Sequence, residues 1–126
     1  MSETAELRGV VVCHGDLAPA LVGAAEQISG IKGALVPVSN SGCNRDSLEE
    51  RIAAAVGGEP AVVFVDMASG SCLFAVLHRL RARSSVGVVT GVNLPMLVDF
   101  VFHRDLTPEA AAERAAAAGV KAIRIP

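Results

Sequence analysis

The stretch Arg8-Gly9-Val10-Val11-Val12-Cys13-His14-Gly15 decides the fold. Three valines in a row break any alternation of apolar and polar residues. Both faces of the segment must then be buried, as in a parallel strand covered by helices on two sides. Branching at Cβ adds a preference for extended chain. The run stops at a histidine and a glycine, which puts a reactive side chain beside a flexible joint at the strand's carboxyl end.

Outward from this strand the pattern repeats. Leu17, Ala20, Leu21, Ala24, Ala25 and Ile28 recur at helical spacing. Asp16 is placed to cap that helix, Pro19 falls in its first turn, and Gly30 closes it. Ala34 to Val38 reads as a second strand, followed by a polar loop from Ser39 to Asn44. Asp46-Ser47-Leu48-Glu49 has capping-box spacing, and Leu48, Ile52 and Val56 form the buried stripe of a second helix. After the turn Gly57-Gly58-Glu59-Pro60, the run Ala61 to Val65 is a third buried strand, ending at Asp66. A third helix is expected from Ser71 to Arg83, with Leu73, Val76, Leu77 and Leu80 facing inward. Val86 to Thr90 is a fourth strand, and Gly91-Val92-Asn93 turns into a fourth helix reaching His103. Thr107-Pro108-Glu109 starts an Ala-rich helix that should end at Gly119, leaving Val120 to Ile125 as a last short strand. Strand and helix in alternation predict an α/β fold with a mostly parallel sheet and right-handed helical crossovers.

The bulk numbers set limits. With 126 residues, no internal repeat and no linker, residues 1–126 read as one domain. Hydrophobic residues make up 52%, enough for a core without staples, and with aromatics at 3% that core must be Val, Leu, Ile and Ala. Few aromatics and a net charge of -2 exclude base-stacking modules and a broad phosphate-backbone footprint, so no nucleic acid is expected. The basic face Arg79, Arg81 and Arg83 reads as a solvated helix surface. No apolar run approaches the length of a membrane span, and the polar, acidic start from Met1 to Leu7 does not read as a secretory signal. Three widely spaced cysteines, Cys13, Cys43 and Cys72, make a disulfide framework unattractive and point to a reducing, cytoplasmic setting.

In open parallel sheets ligands bind beyond the carboxyl ends of the strands, where strand order reverses. That rule selects Cys13-His14-Gly15, Asp66 to Ser71 and Thr90 to Asn93. If the first and third strands are neighbours, His14 and Asp66 lie side by side. The carboxylate then accepts the Nδ1 proton, which fixes the tautomer and leaves the Nε2 lone pair free to attack phosphorus or take a proton. Ser69, Gly70 and Ser71 stand at a helix start, where main-chain N–H groups favour an anion. Asp66 and Ser71 also have a plainer reading as helix caps, and Asn93 as a turn former. His78 and His103 lie on helices away from the strand ends and read as surface or packing residues. Cys13, Cys72, His14 and Asp66 contain zinc-ligand chemistry, but their spacing matches no common zinc pattern. Neither a metal nor a cofactor is expected.

These residues resemble the mannose-family enzyme IIA domains of the sugar phosphotransferase system. The likeness rests on His14-Gly15 with Ala18, on Asp66 followed by Gly70-Ser71, and on Gly91-Val92-Asn93-Leu94-Pro95-Met96-Leu97, and it covers nearly the whole chain. It implies a sheet in the order 2-1-3-4, phosphorylation of His14 by the phosphocarrier HPr, transfer to an enzyme IIB component, and orientation of His14 by Asp66. It also implies a homodimer built through the C-terminal strand region. The site so drawn has Ser69, Gly70 and Ser71 at the phosphate and Cys13, Gly15 and Asn93 at its border. A regulatory phosphorelay or interaction domain of the same fold, and the phosphotransfer subunit of a dihydroxyacetone kinase, are the alternatives. Four positions depart from the family pattern: Cys13 for a usual threonine, Ser69 for a glycine, Cys72 for a proline, and Phe74 for a frequent asparagine. Any requirement for positive φ at Ser69 would strain the loop.

Overall fold

The structure is a computed structural model and describes residues 6–126; residues 1–5, most of the polar stretch Met1 to Leu7, lie outside the described residues. Four parallel strands form one open sheet in the order β2-β1-β3-β4: β1 Arg8–Cys13, β2 Leu35–Ser39, β3 Ala61–Val65 and β4 Val86–Thr90. Five helices connect and follow them: α1 Leu17–Ser29, α2 Arg45–Val56, α3 Ser71–Leu80, α4 Leu94–Val101 and α5 Pro108–Lys121.

The sheet divides the core in two, and the central strands supply both halves. Val11, Val62 and Phe64 point to the side covered by α1, α4 and α5. Val10, Val12, Val63 and Val65 point to the side covered by α2 and α3. All seven are fully buried, as an unbroken β-branched run requires. Phe64 meets Phe100 of α4 edge to face, with ring centroids 5.2 Å apart, so half of the chain's four aromatic residues meet at a single contact.

Several local expectations shift. The apolar stripe of α1 is Ala18, Val22 and Ala25, while Leu17 and Ile28 are exposed. Small side chains let α1 sit close to the sheet, and the bulkier ones are turned away. Asp16 precedes α1 but its side chain makes no cap bond, whereas Gly30 closes the helix in the left-handed conformation as expected. The capping box of α2 is two residues early: Asn44 Oδ1 accepts from Ser47 N–H, and Ser47 Oγ accepts from Asn44 N–H. On α3 the buried residues are Cys72, Ala75, Val76 and Leu80, with Leu77 outside. α3 ends at Leu80, so Arg83 lies past it and donates to the carbonyls of Gly57 and Glu59 instead of joining a solvated face.

The C-terminal strand is absent. α5 continues through Gly119 to Lys121, and residues 122–126 form no strand. Gly119 is there for close approach: a Cβ would stand 2.6 Å from Met96 Cε and 3.0 Å from Asn93 Oδ1. Val120, Ile123 and Ile125 are left exposed.

Candidate functional site

The site grows from sheet register. Val12 pairs with Val65, and the next N–H, that of Asp66, donates to the Val12 carbonyl. This carries the parallel ladder one residue past β3 and sets the Asp66 side chain beside the residue after β1. That residue is His14. Its main-chain N–H donates to Asp66 Oδ2 at 2.9 Å, and its Nδ1 stands 2.8 Å from the same oxygen. An ionised carboxylate can only accept, so Nδ1 is the donor and Nε2 keeps its lone pair. Burial alone would raise the Asp66 carboxyl; the two hydrogen bonds from His14 and the attraction of the ring outweigh it and hold the group below its ordinary value. The ring is 41% exposed while the Asp66 side chain is 9% exposed, so a buried carboxylate presents an accessible imidazole.

The turn after His14 is clamped from β2. Gly15 has φ +59°, its N–H donates to Asn40 Oδ1 at 3.0 Å, and its carbonyl accepts from Ser39 Oγ at 2.6 Å. Ser39 and Asn40 thus fix the path of the His14-Gly15 joint. Their only sequence signal was a polar loop after β2, which does not say which neighbouring strand end it serves.

The N-terminus of α3 faces the other side of the ring. Gly70 is its N-cap, with φ +97° and no side-chain cap bond. A Cβ on Gly70 would stand 3.8 Å from His14 Cε1 and 3.9 Å from Nε2. The start of α3 therefore lies beside the free nitrogen without a side-chain cap bond, the arrangement that receives anions at helix starts.

Residues 9–118 match the family model EIIA-man, the fructose IIA component of the phosphotransferase system. The chain belongs to the EIIA-man family. The EIIA component of the phosphotransferase system from Streptococcus agalactiae has the same fold, with a TM-score of 0.86 at 17% identity over 94% of this chain and 96% of that one. The mannose/sorbose-specific IIA subunit from Enterococcus faecalis gives 0.85 at 18% identity over 97% and 96%. No curated protein matches by sequence.

Within this EIIA-man domain the remaining residues fall as follows. Ser69 is exposed and unstrained: every positive-φ residue described is a glycine, and in this loop it is Gly70. Neither Asp66 nor Ser71 is the cap of α3, because Gly70 holds that position. Asn93 caps α4 by accepting from Met96 N–H and donates to the Gly119 carbonyl, so both ends of its amide tie α4 to α5. Its loop still lies beside β3, since the Val92 N–H donates to the Val65 carbonyl. His78 pairs with Glu49, and His103 Nδ1 bonds the Asp99 carbonyl. These are packing roles away from the site.

Cys13 is buried on the α1/α4 side of the sheet and Cys72 on the α2/α3 side, so the sheet separates the two thiols. Burial, with help from the nearby Asp66 charge, pushes Cys13 up to about 12 and Cys72 to about 11. Among the described residues one group has the composition of a metal site: His14, Asp66 and Cys72 each offer a donor atom, all within 4.8 Å of one another. Cys13, the fourth residue with that chemistry, does not join them. A cavity of about 370 Å³ adjoins the site, lined by Asn40, Cys43, Asn44, Leu48, Ser71 and Phe74 among others. His14 and Asp66 are not in its wall.

Proposed function

We propose that this EIIA-man domain is a phosphohistidine carrier of the sugar phosphotransferase system, taking its phosphoryl group from an HPr-like phosphocarrier on His14 and passing it to an enzyme IIB component. The observation that carries the reading is the single Asp66 oxygen that accepts both N–H groups of His14, with the uncapped start of α3 at the opposite edge of the ring. Nε2 attacks the donor's phosphorus, a new N–P bond forms, and the donor's own bond to phosphorus breaks with its electron pair staying on the donor. Positive charge that develops on the ring is met by Asp66 through Nδ1–H. Oxygens of the phosphoryl group are met by the main-chain N–H groups at Gly70, Ser71 and Cys72. Ser69 joins Gly70 and Ser71 at the phosphoryl group, and Cys13, Gly15 and Asn93 border the site. Transfer to the IIB component is the same step in reverse. Loss of labelling by phosphoenolpyruvate, enzyme I and HPr in His14→Ala tests the acceptor.

The partners need a surface, and one lies beside the site. Phe74 is 68% exposed at the start of α3, with Met67 and Leu77 exposed near it. A cluster of this kind on a protein without a large aromatic content marks a contact face. The chain is read as one domain acting in the cytoplasm, with no direct membrane insertion; among the described residues no helix is long and apolar enough to cross a membrane.

A homodimer is part of the same proposal. β4 is an edge strand, and Val86, Gly87 and Val88 line an open groove with Pro108 and Ala112 of α5. The exposed Ile123 and Ile125 of each copy supply apolar residues to cover such an edge in the other. Light scattering should give twice the chain mass, and removal of residues 122–126 should return the monomer.

A further inference from the structure

Phosphoryl transfer uses His14 and Asp66 but leaves their third neighbour, the Cys72 thiol, without a task. We propose that His14, Asp66 and Cys72 form a binding site for a borderline-soft divalent cation of the Zn²⁺ type. Three features of the molecule lead there. The first is composition and proximity: one imidazole nitrogen, one carboxylate oxygen and one thiol sulfur lie within 4.8 Å of one another. The second is an orphan. Asp66 Oδ2 is occupied by His14, but Asp66 Oδ1 is buried with no hydrogen-bond partner among the described residues, on a side chain only 9% exposed. Buried carboxylate oxygens are rarely left this way, and an unplaced ion is one of the ordinary reasons. The third is access. Cys72 is fully buried while the His14 ring is 41% exposed, so the cluster reaches solvent through the ring.

The donor set selects the ion. Three protein ligands of N, O and S type with a water in the fourth position match zinc, whose bonds are about 2.0–2.3 Å long. Ligand atoms around such an ion stand roughly 3.5 Å apart, so closing from the present spacing asks for movements of about 1 Å or less. Thiolate ligation disfavours Mg²⁺ and Ca²⁺, which take oxygen ligands. On binding, Zn²⁺ gives up all of its waters but one, Cys72 loses its proton to solvent, the His14 ring proton passes from Nδ1 to Nε2, and Nδ1 donates its lone pair to the metal. No oxidant or reductant is involved. With Nδ1 on zinc and the ring proton on Nε2, the imidazole has no lone pair left for phosphorus. Zinc occupancy and phosphorylation of His14 therefore exclude each other, a consequence that rests on the carrier reading; binding itself does not.

The test separates the two. Chelator-stripped protein is titrated with Zn²⁺ by calorimetry and with Co²⁺ by absorption spectroscopy, as wild type, Cys72→Ala and Cys43→Ala. The expected result is one ion per chain in wild type and Cys43→Ala, a thiolate-to-cobalt charge-transfer band in both, and at least a tenfold loss of affinity with no such band in Cys72→Ala. Absence of the band in wild type overturns the site whatever the variants do, as does equal affinity in wild type and Cys72→Ala. In a second arm, one equivalent of Zn²⁺ should slow phosphoryl labelling of wild type and leave the rate for Cys72→Ala unchanged. Zinc binding without any effect on wild-type labelling overturns the exclusion. Failure of wild type to label even without zinc strikes the carrier reading and leaves the binding result standing.

Discussion

One oxygen of Asp66 holds His14 twice, through the main-chain N–H at 2.9 Å and through ring Nδ1 at 2.8 Å. The first bond fixes where the carboxylate stands relative to β1. The second fixes which ring nitrogen points away from the sheet. Replacing Asp66 by Asn keeps the shape but offers an amide, and the ring is free to take the other tautomer. Phosphoryl acceptance should fall by a factor of about 10²–10⁴, on the scale of carboxylate-to-amide changes beside a catalytic histidine. Initial labelling rates under fixed donor concentration measure this.

The same pair gives a pH dependence with a definite sign. Asp66 titrates below its ordinary value of 3.8 in the folded protein, so its contribution to stability is fully present above that value and disappears as pH falls through the lower folded-state value. Denaturant unfolding should show wild type more stable than Asp66→Asn at pH 6, by about 1–3 kcal/mol for a charge-assisted pair. The gap should shrink below pH 4, where titration of the wild-type carboxyl removes it.

Gly70 is required by its backbone conformation and borders the His14 ring. Its φ of +97° excludes most side chains, and a Cβ would come to 3.8–3.9 Å of the His14 ring. Gly70→Ala should cost about 1–3 kcal/mol in stability from the backbone alone. It should also slow labelling by crowding the space beside Nε2. Thermal melts and labelling rates on the same preparation measure both effects.

The three cysteines should react unequally. Cys13 and Cys72 are fully buried and pushed up to about 12 and 11, so the reactive thiolate is scarce at neutral pH. Cys43 is half-buried at the edge of the cavity beside α2. A thiol reagent at pH 7.5 should titrate one group in the native protein and three after unfolding, and Cys43→Ala should remove the fast one.

Much of this fold was legible because the strands are continuous apolar runs. Val10 to Val12 and Ala61 to Val65 have no polar residue to confuse their period, and each ends at a residue with chemistry, His14 or Asp66. The order β2-β1-β3-β4 came from the family likeness, since nothing local in a strand states its neighbour. Helix faces were harder. On α3 the leucine at position 77 suggested one stripe, but the sheet accepts the smaller Cys72, Ala75 and Val76, and the bulky Phe74 and Leu77 turn outward. The segment from Val120 to Ile125 alternates like a strand, yet α5 runs through Gly119 into it, and residues 122–126 form no strand. Ser39 and Asn40 could not be tied to Gly15 from sequence, because the contact crosses from one strand end to another. That Cys72 joins His14 and Asp66 while Cys13 does not could not be read from the irregular spacing, because the three become compact only when β1, β3 and α3 meet.

The most direct measurement is the chemistry of the phosphorylated residue. Wild-type protein incubated with labelled phosphoenolpyruvate, enzyme I and HPr should acquire one phosphoryl group per chain that is lost in acid and kept in base. It should be absent from His14→Ala, with the fold of the variant verified by circular dichroism. Wild type that stays unlabelled while a control carrier is labelled, or labelling that survives in His14→Ala, would contradict the assignment of His14 as the phosphoryl acceptor.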